Sequence, residues 1–144
     1  MGLMKAALYA RVASADRGQR RTIASQVLEL KGQIAASDGV LVKQYIDYGR
    51  SGATLDRPGL KQLRQDAKAG RFDTVYFLAA DRIARDLAHQ AIIVGELLEC
   101  GKKIMVNGKD YVHDPHNRLA LSVLAAFAEL ERHPKLEGTI GQNR

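Results

Sequence analysis

Short apolar runs alternate with longer amphipathic segments along most of this chain, and this alternation limits the fold more than any other feature. Residues 5–12, 40–46, 72–79 and 103–106 are rich in aliphatic, β-branched or aromatic residues and predict four β-strands, with 111–112 as a short fifth. Between these runs, apolar residues recur at helical spacing. The alternation predicts an α/β fold in which a mostly parallel sheet of four to five strands is covered by helices.

Four helices are predicted from apolar stripes at helical spacing, from capping residues at their starts and from glycines at their ends. They start near Thr22, at Pro58, after Asp86 and at Pro115, and they end at Asp38-Gly39, Gly70, Gly101 and Arg132. The polar residues 16–21 are predicted to form a loop. In the third helix the predicted core stripe consists of Leu87, Ala91, Val94 and Leu98.

The last predicted helix is apolar almost all the way round between Leu119 and Ala128. A helix without a polar face must be covered on every side, either by the rest of the domain or by another subunit. Because this helix is the last element of a small domain, we expect it to contact a second subunit. Pro134 then interrupts the helical pattern, and residues 133–144 read as a polar tail.

The charge balance favours an anionic partner. The chain of 144 residues has the length of one ordinary domain, and its 22 Lys and Arg residues against 16 Asp and Glu residues give a net charge of +6. The single cysteine, Cys100, cannot form a disulfide within the chain, which favours a reducing compartment. No secretory signal pattern precedes the first strand, and residues 119–128 are too short to span a membrane. We therefore expect a cytoplasmic protein without a membrane partner.

Charged residues gather where the predicted strands end. Arg11, Asp47 and Asp81-Arg82 lie at or just past three strand ends, while Arg57 and Arg85 lie in the adjoining loops. The carboxyl ends of parallel strands share one edge of a sheet, which is where such sheets bind ligands. Arginine forks match two oxygens of one phosphate, so several converging arginines predict phosphate recognition, with the aspartates positioning them or carrying a proton. The alternative for each residue alone is an ordinary surface charge.

A metal site is the weaker interpretation of the same edge. Asp47, Asp56, Asp81 and Asp86 could supply oxygen ligands for Mg²⁺, as in a metal-dependent nuclease. Each of them has an arginine nearby in sequence, however, which competes for the carboxylate and repels a cation. No glycine-rich phosphate loop follows the first strand, and the four histidines have no ligand spacing. We therefore predict no metal and no organic cofactor.

Six short motifs occur along the chain in a fixed order. They are Tyr9-Ala10-Arg11-Val12, Ile23-Ala24-Ser25-Gln26, Asp47 with Ser51-Gly52, Leu55-Asp56-Arg57-Pro58-Gly59-Leu60, Asp81-Arg82 with Arg85-Asp86, and Ala128-Glu129-Leu130-Glu131-Arg132. The ordered set resembles the catalytic domain of the serine recombinases, the resolvase and invertase family. Each motif alone is common, whereas the set, which covers about residues 5 to 132, is specific.

The resemblance implies site-specific recombination of double-stranded DNA. In this family a serine hydroxyl attacks the scissile phosphodiester and forms a 5'-phosphoserine link, which leaves a free 3'-hydroxyl and allows rejoining without ATP. Family members act as homodimers that assemble into tetramers. The roles implied by the family pattern are phosphate binding by Arg11, Arg57, Arg82 and Arg85, support by Gln26, Asp47 and Asp81, and subunit or DNA contact by Glu131 and Arg132.

One residue departs from the family pattern at its chemical centre. The nucleophile is expected two residues after Arg11, and that position is Ala13, whose methyl group cannot attack phosphorus. The preferred interpretation is that Ala13 leaves phosphate binding intact and abolishes cleavage. A second interpretation is that Ser14 acts instead, although strand alternation aims it at the opposite face. The third is a non-catalytic DNA-binding or assembly domain that keeps the recombinase fold.

The second departure lies at the C-terminus. In the family the long helix continues toward a DNA-binding domain, but here Pro134 follows almost at once. We therefore expect residues 1–132 to form the catalytic domain and residues 133–144 to be a tail or truncated linker, without the DNA-binding domain. Since phosphate contacts position a protein without reading sequence, the isolated chain should bind DNA weakly and without specificity.

Overall fold

A computed structural model describes residues 3–12, 17–48, 57–84 and 87–112 of the chain. These residues form five strands and four helices. Three of the helices occur in the predicted order, whereas the short helix Ala80–Ile83 was not predicted from the sequence. The elements are β1 Met4–Val12, α1 Arg17–Ala36, β2 Gly39–Tyr48, α2 Pro58–Lys68, β3 Thr74–Phe77, α3 Ala80–Ile83, α4 Leu87–Glu99, β4 Lys103–Val106 and β5 Lys109–Asp110.

The five strands form one sheet in the order β2-β1-β3-β4-β5. Strand β1 lies between β2 and β3 and pairs with both in parallel, and β3 pairs in parallel with β4. Only β5 runs antiparallel to its neighbour. The predicted α/β architecture with a mostly parallel sheet is therefore confirmed.

Helices cover both faces of the sheet, with β1 buried between them. On one face, Leu30 and Ile34 of α1 pack against Ala6 and Leu8. On the other face, α2 and α4 pack over Tyr9 and its neighbours in a larger cluster. A strand that is buried on both faces reads as a continuous apolar run, and residues 6–12 are all buried. The carboxyl ends of β1, β2 and β3 consequently open at one edge of a rigid core.

Several predicted boundaries were wrong. Helix α1 begins at Arg17, so residues 17–21, which were predicted as a loop, are helical. Arginine and glutamine are good helix formers, so a run of polar residues is compatible with a helix. Strand β3 is also shorter than predicted and covers only Thr74–Phe77. Phe72 is fully buried in the core before the strand begins, which explains its strand-like appearance in the sequence.

The predicted core stripe of α4 was partly wrong. Ala91 and Val94 are buried as expected, but Leu87 is 64% exposed and Leu98 is 39% exposed. Gln90, a polar residue, is buried in the same helix. The short fifth strand lies at Lys109–Asp110 rather than at 111–112, after a tight turn.

The turn between β4 and β5 consists of Asn107 and Gly108, which both have positive φ angles of 53° and 77°. An Asn-Gly pair of this kind favours a two-residue hairpin, so the reversal places β5 directly against β4. The predicted last helix, with its apolar run 119–128, lies outside the described residues. Among the residues described, no helix is both long and apolar enough to cross a membrane.

Candidate functional site

Arg11 and Asp47 are neighbours at the carboxyl edge of the sheet. They are paired in the register of β1 and β2, and both side chains are almost completely buried. Tyr9 precedes Arg11 by two residues and therefore lies on the same face of β1. The prediction that Arg11 and Asp47 share one edge agrees with this register.

The Asp47 carboxylate binds the start of α2. Its Oδ1 accepts a hydrogen bond from the Gly59 backbone N–H at 2.7 Å, and its Oδ2 accepts one from the Leu60 N–H at 3.0 Å. A carboxylate in this place satisfies N–H groups that have no partner within the helix and interacts favourably with the helix dipole. Asp47 was predicted to hold an arginine or carry a proton, whereas these contacts show it anchoring a helix.

Tyr9 connects Asp47 to Arg57. The Tyr9 hydroxyl donates to Asp47 Oδ2 at 2.6 Å and accepts from Arg57 Nη1 at 3.2 Å. The guanidinium carbon of Arg57 also lies 5.7 Å from the centre of the Tyr9 ring, within range of a cation–π contact. Burial raises the pKa of Tyr9 far above its ordinary value, and the hydrogen bond to Asp47 raises it further. Tyr9 therefore remains a neutral donor.

Arg57 is the largest fully buried side chain of the described residues, with 0% exposure. Besides Tyr9, its Nη1 donates to the Arg82 carbonyl oxygen at 3.4 Å, and its Nη2 donates to the carbonyl oxygen of Ile83. Its Nε is buried and has no acceptor among the described residues. The predicted loop arginine is thus an interior residue that joins β1 to α3.

Arg11 reaches the same short helix from the other side. Its Nη2 donates to the Asp81 carbonyl oxygen at 3.1 Å. Gln26 of α1 contacts the main chain of Arg11: the Gln26 side chain is buried, and its Nε2 donates to the Arg11 carbonyl oxygen at 3.3 Å. The Gln26 Oε1 atom is buried and has no partner in the described part of the chain.

Asp81 and Arg82 present the exposed charges of the site. The Asp81 side chain is 65% exposed and its Oδ1 lies 3.7 Å from Nη1 of Arg82, whose side chain is 30% exposed. The Nε of Arg82 is buried without an acceptor among the described residues. Asp81 was expected to hold an arginine or to handle a proton; its carboxylate pairs with Arg82, and its main-chain carbonyl accepts from Arg11. Arg82 is the most exposed of the three described site arginines.

Six predicted site residues are therefore brought together by direct contacts or through one intermediary: Arg11, Gln26, Asp47, Arg57, Asp81 and Arg82. The other predicted site residues, Ala13, Ser14, Arg85, Glu131 and Arg132, lie outside the described residues.

Two residues of the network were not assigned to the site from sequence. Tyr9 was correctly predicted as core, and its spacing of two from Arg11 was the signal that it also faces the site. Gln90 donates from Nε2 to the Ala84 carbonyl oxygen at 2.8 Å. Gln90 gives no sequence signal, because its polar side chain in α4 looks like a solvent-facing residue.

The donor set suits an anion rather than a cation. Buried guanidinium groups and Nε donors dominate the edge, and the buried carboxylate of Asp47 already accepts three hydrogen bonds. Within the ranges that the structure describes, no cluster of three or more His, Cys, Asp or Glu side chains could hold a metal ion.

Comparison with known proteins defines the class to which this architecture and edge belong. The model of the "Resolvase, N terminal domain" family matches residues 6–141. The chain belongs to this family of serine recombinase catalytic domains.

Curated relatives agree with the family match. A Bacillus subtilis (strain 168) protein named as a candidate DNA recombinase is 33% identical over 127 residues, which are 88% of this chain and 25% of the relative. The serine recombinase gin of Escherichia phage Mu is 35% identical over 92 residues, which are 62% of this chain and 46% of the relative. The chain thus spans between a quarter and about half of the length of these relatives.

Solved structures give the same result. The N-terminal catalytic domain of TP901-1 integrase matches with a TM-score of 0.76 and 26% identity, covering 90% of this chain and 97% of that one. A resolvase family site-specific recombinase from Streptococcus pneumoniae matches with a TM-score of 0.69 and 25% identity, covering 95% and 93%.

Proposed function

We propose that this chain is the catalytic domain of a site-specific DNA recombinase whose phosphate-binding site is intact and whose nucleophile position is occupied by Ala13. The observation that supports the proposal most directly is the site network, in which Arg11, Arg57 and Arg82 converge on one edge of the sheet. The buried contacts fix the side chains of Arg11 and Arg57, and the main chain that carries Arg82, before any ligand arrives. Preorganised donors of this kind stabilise a phosphate under attack without further rearrangement.

Arg82 is the described residue best placed to contact a scissile phosphate. It is partly exposed, and its Nε donor has no acceptor among the described residues. A phosphate would accept hydrogen bonds from the exposed part of this guanidinium. Arg11 contributes positive potential from behind, and Arg85 is assigned to the same phosphate by the family pattern.

The proposed chemistry requires a hydroxyl on the same face as Arg11. The sequence expectation is that position 13, two residues after Arg11, shares the face of Arg11, because alternate residues of a strand share a face. A serine there would attack phosphorus through Oγ and lose its proton. The bond between phosphorus and the 3'-oxygen would break, and that oxygen would take up a proton as the leaving 3'-hydroxyl. Rejoining is the reverse reaction on the 5'-phosphoserine link.

With Ala13 at this position, the proposed outcome is DNA binding without cleavage. The partner is double-stranded DNA, contacted through phosphates, and the active assembly is a tetramer formed from two homodimers. A second candidate function, favoured by the missing hydroxyl itself, is a DNA-binding or assembly domain that keeps the fold but never cleaves.

Restoring the hydroxyl tests the proposal. The chain is joined to a sequence-specific DNA-binding domain, and the parent, Ala13→Ser, Ser14→Ala and the double variant are incubated with supercoiled DNA that carries the cognate site. Covalent protein–DNA adducts are then detected by denaturing electrophoresis. We expect adducts from Ala13→Ser and from the double variant, and none from the parent.

The other outcomes identify the alternatives. Adducts from the parent that disappear in Ser14→Ala would make Ser14 the nucleophile. If no variant forms an adduct while all bind DNA, the non-catalytic function is supported. Cleavage that depends on added Mg²⁺ would instead indicate a metal-dependent nuclease.

A further inference from the structure

Four consecutive main-chain carbonyls of the segment that carries Arg82 accept hydrogen bonds from side chains elsewhere in the fold. The segment is residues 81–84, which comprise most of α3 and the residue after it. Its donors are Arg11 for the carbonyl of Asp81, Arg57 for those of Arg82 and Ile83, and Gln90 for that of Ala84.

This segment cannot hold its own shape. Helix α3 has only four residues, and the last four carbonyls of any helix accept no hydrogen bond from within that helix. Ala79 before it and Ala84 after it are both extended, so neither end continues a helix. The side chains that bind these carbonyls therefore determine where the segment, and with it Arg82, lies at the edge of the sheet.

Arg57 is committed to this task by its burial. Its side chain has no exposed surface, and both terminal nitrogens donate to protein acceptors. Its Nε is buried too. For Arg57 to bind a DNA phosphate directly, it would have to give up these contacts, and buried carbonyls left without a donor are costly.

Gln90 performs the same task from α4. It is 8% exposed, and its amide nitrogen binds the Ala84 carbonyl at 2.8 Å. That carbonyl is two residues from Arg82 and marks the end of the segment. Gln90 thus fixes the segment from the helix that follows it, while Arg57 fixes it from the start of α2.

We propose that Arg57 and Gln90 are positioning residues, which act on DNA phosphate only by holding residues 82–84 so that Arg82 faces it. This inference rests on the proposed function of the site, because it assumes that Arg82 contacts phosphate. Gln90 thereby gains a role in the site, and Arg57 supports the phosphate-binding residue Arg82 rather than binding phosphate itself.

A double-mutant cycle tests the coupling with the chain as it is. The affinity for a labelled non-specific DNA duplex is measured by fluorescence anisotropy between about 50 and 200 mM salt, where phosphate contacts dominate. The variants are Gln90→Met, Arg57→Lys, Arg82→Gln, and each of the first two combined with Arg82→Gln. Arg57→Lys keeps the charge, so a change in affinity cannot be attributed to net charge alone.

Tyr45→Phe is the matched control. It removes a buried hydrogen bond of 2.7 Å to Asp66, which joins β2 to α2 away from the site network. It should cost stability comparable to Gln90→Met and leave DNA affinity unchanged. Circular dichroism melting of every variant identifies those that are folded at the assay temperature, and Gln90→Met carries the test alone if Arg57→Lys does not fold.

Arg82→Gln should weaken binding by roughly tenfold and reduce the slope of log affinity against log salt by about 0.9, as expected for one lost phosphate contact. Gln90→Met and Arg57→Lys should each weaken binding by roughly threefold or more in the parent and by nothing further once Arg82 is replaced, because coupled residues are not additive. Equal losses in both backgrounds would overturn the inference, and for Arg57 would indicate direct phosphate contact. No change from Gln90→Met in the parent would also overturn it. No effect of Arg82→Gln would instead refute the proposed phosphate role of Arg82.

Discussion

Replacing Asp47 by asparagine should destabilise the fold by about 3 kcal/mol, because an amide cannot accept all the hydrogen bonds that the carboxylate accepts. Three N–H or O–H donors point at the two Asp47 oxygens, from Tyr9, Gly59 and Leu60. If the new amide nitrogen replaces Oδ2, it faces two of these donors. In the less harmful orientation the amide nitrogen replaces Oδ1 and faces only the Gly59 N–H.

The magnitude follows from that less harmful orientation. Losing the charge-assisted hydrogen bond to the Gly59 N–H, including the cost of leaving that N–H without an acceptor, amounts to about 1.5–3 kcal/mol. The lost negative charge at the start of α2 contributes up to about 1 kcal/mol more. With a urea slope near 2 kcal/mol per M, a loss of about 3 kcal/mol lowers the unfolding midpoint by about 1.5 M.

Urea unfolding followed by circular dichroism measures this shift, with Asp38→Asn as the control. Asp38 is exposed and has a φ angle of 59°, a conformation that asparagine adopts readily. The control removes the same charge and should change stability by less than about 0.5 kcal/mol. A loss below about 1 kcal/mol for Asp47→Asn would show that the carboxylate does not anchor α2 as the contacts indicate.

Three further outcomes are expected. Gly59→Ala should lower the free energy of unfolding, measured in urea, by about 1–3 kcal/mol, because the new Cβ would lie 2.9 Å from a carbonyl oxygen of β2. Gly32→Ala is the control and should stabilise α1, since no heavy atom lies within 4 Å of its Cβ. Equal effects of the two substitutions would contradict the close approach at Gly59. Burial raises the pKa of Asp66, but hydrogen bonds from Tyr45 and Gln62 outweigh it and leave the pKa below its ordinary value. Asp66 therefore contributes stability above about pH 4 that is lost as the pH falls through the folded pKa, so Asp66→Asn should flatten the acid limb of stability against pH. Burial raises the pKa of Tyr9 and of Tyr45, so the stability that these two residues contribute to the fold is complete below about pH 10 and is lost at higher pH. The phenolate absorbance of both residues should appear together with unfolding. Ionisation of either residue before unfolding would refute its burial.

The order of the strands and of α1, α2 and α4 could be predicted from sequence because each has its own periodicity, whereas the four-residue helix α3 is too short to show one. Strand β1 is buried on both faces and reads as an unbroken apolar run, and α2 has proline at its start and a glycine stop after it. The start of α1 could not be predicted in this way, because residues 17–21 are polar and carry no apolar stripe. The absence of an apolar stripe predicted a loop at these residues, although arginine and glutamine favour helices.

The candidate site was predictable as a set of positions but not as a set of contacts. Strand ends identify Arg11, Asp47 and Arg82, since topology brings those ends to one edge. The partners of the buried groups could not be foreseen. The carbonyls that Arg57 and Gln90 bind belong to the main chain, and main-chain acceptors are the same at every position of a sequence.

The central claim is that DNA phosphate binds at the carboxyl edge of the sheet through Arg82. Arginine side-chain N–H resonances of ¹⁵N-labelled chain, assigned with Arg82→Gln and recorded during titration with a short DNA duplex, test this directly. We expect a saturable shift of the Arg82 Nε–H signal that salt reverses. Shifts confined to exposed arginines away from the site, such as Arg71, with the Arg82 signal unchanged at saturating DNA, would contradict it.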